Sequence, residues 1–432
     1  MRPNRREFLA LSGAAAFASS VSGAVSQGGA PATWPSTFPS LQQQVNGQAL
    51  AYLDSAATTL RPQSVIDAIS RFYATDNANP ARVHQLAGRA ADRLALARQA
   101  AARFVNAADP LEIIFVRGST EGLNLVASTW GAMSLGKGDE VVVSVAEHYS
   151  NLMPWTRAAE RAGAVVRVAD VDDEGRLMVE RVSAVLSPRT RLVAISHVSN
   201  VLGYLNPVKE IAAAARAAGA SVVIDGAQGA PHARIDVRDI GCDFYVFSGH
   251  KMLGPMATGV VWGRRELLDR MPPFHVGSNM AHEVSLTHAE LEKGALKFQA
   301  GTPDVAGPVG LTAAIAFFEQ AGPGALQAHD DLLVRHGLAR LKKVPGLRLI
   351  GPTNPDRRVP VFTFTLPGIG AAAAAAALDK RGIAVRAGDM AAMPLLKRFG
   401  VTEAVRASAY VYSTTRDLDR LGDALEQLET IS

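Results

Sequence analysis

The stretch Phe244-Tyr245-Val246-Phe247-Ser248-Gly249-His250-Lys251, followed by Gly254-Pro255, decides the fold class. Four consecutive apolar or aromatic residues run into a polar turn that ends on a lysine. A run this short, apolar at every position, reads as a strand buried on both faces. A lysine at the end of such a strand, hemmed in by Ser, Gly and His, is an unusual place for a solvated charge. Desolvation favours its neutral amine, which can form a Schiff base with a carbonyl. A surface lysine in an ordinary turn is the alternative reading.

Working outward, similar Val- and Ile-rich runs recur at 113–116, 140–144, 165–169, 192–196, 222–225 and 259–262. The segments between them, such as 89–106 and 209–218, carry helical periodicity. Alternation of this kind predicts an α/β architecture with a mostly parallel sheet covered by helices. Ligands of such sheets sit at the carboxyl ends of the strands. After about residue 305 the pattern changes. Helical 310–320 and 329–343 precede a strand at 359–365, a helix at 371–381, a short strand at 383–386 and a last helix at 417–431. These predict a smaller α+β domain.

The expected organisation is therefore a large domain over 70–305 and a small one over 306–432, with 41–69 packing against the small domain.

The composition supports this and removes other classes. The chain has 432 residues, 48% apolar and 19% charged, enough for a large core and too little charge for disorder. Residues 1–24 hold three Arg and one Glu; the rest carries 41 basic against 39 acidic residues, an excess of +2. So small an excess leaves no electrostatic footprint for nucleic acid. The single cysteine, Cys242, excludes an internal disulfide and any Cys-rich zinc site. Beyond residue 25 no apolar run reaches spanning length, so stable membrane insertion is not expected.

The N-terminus reads as an address. Arg5-Arg6 precede Phe8-Leu9, an apolar stretch follows to Phe17, and small residues end at Val21-Ser22-Gly23-Ala24. This is the layout of a signal peptide, and the arginine pair resembles the twin-arginine export signal. A general secretory signal is the alternative. Residues 1–24 are expected to direct export to the periplasm, or otherwise out of the cytoplasm, through the twin-arginine machinery; 25–40 have linker composition. Export of folded protein suits a chain that must first take up a cytoplasmic cofactor.

Three further signals stand at predicted strand ends. Asp225-Gly226-Ala227-Gln228 closes one strand; a buried carboxylate needs a partner, and a protonated pyridine nitrogen would serve, although a helix cap is equally compatible. Gly118-Ser119-Thr120-Glu121-Gly122 opens a helix and would present free backbone N–H groups to a phosphate. Glu147-His148 places a ring where it could stack on a flat cofactor. Each has a bland alternative. Together with Lys251 they describe one ligand, pyridoxal phosphate (PLP).

The stretches Tyr52-Leu53-Asp54-Ser55-Ala56-Ala57, Arg117 to Gly122, His197-Val198-Ser199-Asn200, Asp225 to Gln228, Cys242 to Lys251 and Ala300-Gly301-Thr302-Pro303 resemble the class V aminotransferase family. The resemblance is strongest to its cysteine desulfurase and selenocysteine lyase branch, and runs from about Tyr52 to about Leu421. It implies the PLP-dependent transferase fold of type I. It also implies that Lys251 holds PLP and moves the Cα proton, that Asp225 meets the pyridine nitrogen and Gln228 the ring oxygen, and that His148 stacks on the ring. Ser119, Thr120, Ser248 and His250 would bind the phosphate, joined by Thr302 from the other subunit of a homodimer. Asn200 would lie near ring or substrate. Arg406 would clamp the substrate carboxylate, with Arg386 as a second arginine.

One departure matters. The desulfurase nucleophile sits in a loop of the form Arg-x-Gly-x-x-Cys-Ala-x-Pro. Here that frame reads Arg386-Ala387-Gly388-Asp389-Met390-Ala391-Ala392-Met393-Pro394, with Ala391 at the cysteine position. Cys242 opens an apolar strand, where small buried cysteines are usually inert. Two pocket segments also differ from the family pattern, at Asn79 to His84 and at Val276-Gly277-Ser278-Asn279. His275, His282 and His288 lie nearby, with spacing that fits no standard metal site. The expectation is an exported PLP enzyme that abstracts the Cα proton of an amino-acid-type substrate. C–S or C–Se elimination or transamination is favoured over epimerisation, and a non-catalytic binding protein is the rival.

Overall fold

The computed structural model describes residues 34–429. The expected signal peptide and the first part of the expected linker lie outside these residues. Residues 34–40, read above as linker, are instead folded. Pro35–Thr37 and Pro39–Gln42 form 3-10 turns, and the buried rings of Trp34 and Phe38 pack against Phe317, His329 and Tyr412. Two large rings among small and polar residues bury enough apolar area to hold the segment down.

The large sheet has seven strands in the order Ile113–Val116, Gly259–Gly263, Phe244–Ser248, Ser221–Asp225, Thr190–Ser196, Glu140–Ser144 and Val165–Ala169. Gly259–Gly263 runs antiparallel to both neighbours, and the other pairings are parallel. Phe244–Ser248, Glu140–Ser144 and Gly259–Gly263 are buried at every position, because helices cover both faces. The edge strand Val165–Ala169 alternates less cleanly and exposes Val165 and Val168. Since the parallel strands share one direction, their carboxyl ends gather at one rim. Residues 117–120, 145–148, 197–200, 225–228 and 248–251 meet there.

The expected boundary at residue 306 moves. The helix Ala306–Ala321 packs on Gln63–Thr75 and Gln85–Val105, and its Leu311, Ala314, Ile315 and Phe318 join the core of the large sheet. Its apolar residues match that surface, and Gly322, at φ +80°, turns the chain into the next helix, Pro323–Leu341. From there Leu333, Val334 and Leu338 belong to a second core with Phe362, Phe364, Leu421 and Leu425. That core lies under a four-stranded antiparallel sheet, Arg348–Ile350, Val361–Thr365, Ala404–Ser408 and Arg386–Gly388.

The single strand expected at 383–386 divides in two. Ile383–Ala384 pairs in parallel with Ala51–Tyr52, and Arg386–Gly388 joins the small sheet. Through the first pairing the segment around Leu53 enters the second core. Among the described residues no helix is long and apolar enough to cross a membrane.

Candidate active site

A cavity of about 950 Å³ opens at the carboxyl rim of the large sheet and is closed from the side by the small sheet. Its phosphate end is built where Ile113–Val116 turns into the helix Ser119–Val126. Gly118, at φ +154°, makes that turn, and a Cβ there would lie 3.2 Å from the Ser248 hydroxyl. Ser248 Oγ accepts the Ser119 N–H at 2.7 Å and bonds the Ser119 hydroxyl at 2.9 Å. Gly122 lets the helix press on the sheet; a Cβ would meet Val246 at 2.6 Å and Val261 at 2.7 Å. The helix N-terminus is thus held at the rim with N–H groups facing the cavity, a ready anion site. Thr120 Oγ1 meets Ser150 Oγ at 2.8 Å.

Lys251 and Asp225 stand at adjacent strand ends. Burial lowers the Lys251 pKa to about 8, against the opposing pull of Asp225 and with Arg406 adding to the fall. Burial also pushes the Asp225 carboxyl upward, opposed by the Ala227 N–H, donated at 2.9 Å, and by Lys251. Gln228 Nε2 donates to the Ala56 carbonyl at 2.7 Å. The His250 carbonyl accepts from the Thr59 N–H and from the Thr58 and Thr59 hydroxyls, fixing the lysine turn. Burial, Lys251 and Arg406 hold His148 neutral, at about 4, and its Nδ1 accepts the Ser150 N–H at 3.1 Å.

The substrate end is an arginine pair around one carboxylate. Arg386 donates to Asp54 through NH2 at 2.6 Å and Nε at 3.3 Å; Arg406 NH2 lies 3.6 Å from Asp54 and its NH1 donates to the Asn200 carbonyl at 3.0 Å. Arg406 is 3% exposed, and its Nε is buried with no partner. Burial lowers its pKa to about 10. A buried guanidinium N–H without an acceptor is costly, and a substrate carboxylate would satisfy it. The Ser196 hydroxyl, also on the cavity wall, is likewise buried and unpartnered.

The structure brings Ser119, Thr120, His148, Asn200, Asp225, Gln228, Ser248, His250, Lys251, Arg386 and Arg406 around this one cavity. Thr302 is exposed and does not line it. Ala391 does, while Cys242 is fully buried before the Phe244–Ser248 strand, at its far end. Burial pushes that thiol well above its usual pKa. His282 pairs with Glu290 at 3.1 Å on an exposed hairpin.

Sequence reading gave no role to Asp54, Tyr149, Ser150, Ser196 or Asp389. Asp54 carried the same signal as Asp225, an acid closing an apolar pair, and could have been found by it.

The residues present fit PLP: a cradle of N–H groups for a phosphate, a desolvated lysine, a buried acid beside it, and unpartnered polar atoms facing inward. Comparison with known proteins agrees. Residues 51–421 match the Aminotransferase class-V family. The chain is 43% identical to a cysteine desulfurase of Synechococcus elongatus over 91% of its own length, spanning only 63% of that longer protein. It is 44% identical to a probable cysteine desulfurase of Halalkalibacterium halodurans, covering 90% of this chain and 96% of that one. The crystal structure of the Escherichia coli cysteine desulfurase CsdA superposes with a TM-score of 0.86 at 36% identity, covering 93% of this chain and 98% of that one. The chain belongs to the class V aminotransferase family and is a PLP-dependent enzyme of fold type I.

Proposed function

We propose that this enzyme abstracts the Cα proton of an amino-acid-type substrate and completes a C–S or C–Se elimination or a transamination, without forming a persulfide on the protein. The observation that carries this reading is the pairing of an equipped cavity with a methyl group at Ala391 and a lone, fully buried thiol at Cys242. The named relatives are cysteine desulfurases. This chain carries Ala391 at the position that the resemblance assigns to the desulfurase cysteine, and its one thiol, Cys242, is fully buried.

PLP, when bound, supplies the electron sink for a carbanion at Cα. Lys251 holds it through Nζ and then carries the Cα proton on that same nitrogen, a task suited to an amine whose pKa burial has brought to about 8. Asp225 offers its carboxylate to the pyridine nitrogen and Gln228 its amide to the ring oxygen. His148 offers a neutral ring face. Ser119, Thr120, Ser248 and His250 hold the phosphate at the helix N-terminus, and Arg406 clamps the substrate carboxylate, aimed by Asn200 and Asp54.

With cysteine as substrate, the Cα–H and Cβ–S bonds break and hydrogen sulfide leaves. The released aminoacrylate takes up water to give pyruvate and ammonia.

The active unit in this reading is a homodimer in which Thr302, exposed on its own chain, completes the partner's phosphate site. Export by the twin-arginine route after PLP uptake is part of the same proposal, motivated by Arg5-Arg6.

Borohydride treatment of the yellow protein should fix PLP on the peptide holding Lys251, and Lys251→Ala should lower turnover by roughly 10³-fold or more. A screen of amino acids for keto-acid, sulfide or ammonia release separates elimination from transamination. Label on another lysine would overturn the assignment.

A further inference from the structure

The turn after the Arg386–Gly388 strand is held by three hydrogen bonds from outside it and one within it. The Tyr149 N–H donates to the Ala391 carbonyl at 2.8 Å, and the Tyr149 hydroxyl donates to Asp389 Oδ2 at 2.6 Å. Asp389 Oδ1 accepts the Ala391 N–H at 3.0 Å. Asn200 Nδ2 donates to the Met390 carbonyl at 2.8 Å. Under these ties Met390 and Ala391 both sit in the left-handed region, at φ +49° and +56°. Residues with a Cβ hold that conformation only where their surroundings over-determine it.

The ties come from elements that also shape the site. His148, just before Tyr149, lines the cavity, and Asn200 gives its own carbonyl to Arg406. Tyr149 does not line the cavity, although its chain neighbours His148 and Ser150 do, and its hydroxyl bonds Asp389, which does not line it either. A turn held in a strained shape by hydrogen bonds from the 148–150 and 197–200 segments is a static wall, and a static wall sets the size of what fits beside it.

We infer that Tyr149 and Asp389 are positioning residues that latch the 389–391 turn, making Ala391 a fixed wall of the substrate side-chain subsite and restricting that subsite to small side chains. This rests on the amino-acid reading of the site given above.

Wild-type holoenzyme and the Tyr149→Phe variant are compared in two measurements. Amide hydrogen exchange of peptides covering 386–394 should speed up about tenfold in the variant, with the 244–251 strand unchanged. Dissociation constants for L-alanine and L-methionine, read from the shift of the cofactor absorption band, should favour L-alanine about tenfold in the wild type. That ratio should shrink about fivefold in the variant, mainly through tighter L-methionine. A purely structural role would weaken both amino acids together.

Asp389→Ala opens the latch from the other side and should reproduce both changes, including where Tyr149→Phe does not fold. Unchanged exchange in both variants, or an unchanged ratio, overturns the latch. No band shift with either amino acid in the wild type, while exchange is faster in the variants, overturns the amino-acid reading instead, and the size restriction with it.

Discussion

The Ser248 hydroxyl accepts the backbone N–H of Ser119 at 2.7 Å. That bond joins the end of the lysine strand to the first turn of the helix whose N–H groups face the cavity, so phosphate cradle and lysine move as one piece. Ser248→Ala leaves the Ser119 N–H without this acceptor. PLP affinity should fall about tenfold, measured by reconstitution of stripped protein, while the far-ultraviolet spectrum is unchanged.

His197 lies under the site with Nδ1 bonded to the Tyr245 hydroxyl at 2.8 Å, and burial holds its pKa at about 4. In the unfolded chain a histidine titrates near about 6.5. Between these values the unfolded state binds the extra proton, so stability is lost as pH falls below the unfolded value. At pH about 5 this one residue should account for about 2 kcal/mol of lost stability relative to neutral pH. Denaturant melts of wild type and His197→Gln at both pH values measure it; the variant should show the smaller acid loss.

If Thr302 serves the partner's phosphate site, Lys251→Ala and Thr302→Ala chains carry complementary lesions. Mixed after mild dissociation, they should recover roughly a quarter of wild-type activity, since one site of a mixed dimer escapes both lesions. Activity that stays at the level of the separate variants would contradict the shared site.

Export should depend on the arginine pair. A reporter carrying residues 1–33 with Arg5→Lys and Arg6→Lys should remain in the cytoplasm, while the unaltered leader delivers it outside. Unimpaired export of the altered leader would point to the general secretory route.

Strand-end chemistry was legible because it is local. An apolar run followed by Ser248 to Lys251, or by Asp225 to Gln228, names both the strand and the rim it ends on, and the sheet then brings those rims together. Pairings distant in sequence were not legible. Asp54 meets Arg386 across more than three hundred residues, and Tyr149 meets Asp389 across 240; no period or turn signal records either. Trp34 and Phe38 were lost in a composition average, since two rings among Ser, Pro and Gln look like linker until a surface is found for them. The helix Ala306–Ala321 shows no marked apolar stripe, because it packs between the sheet and two other helices, so its sequence could not say which domain it joins.

Incubating holoenzyme with isotope-labelled cysteine and weighing the intact chain decides whether PLP chemistry here runs without a protein-bound persulfide. Ala391 offers the cavity only a methyl group, and Cys242 is buried beyond the far end of the lysine strand, six residues before Ser248, or roughly 20 Å of extended chain. No gain of sulfur mass is expected, with any cleaved sulfur recovered as free sulfide alongside pyruvate and ammonia. A gain of one sulfur atom that disappears in Cys242→Ser would contradict it.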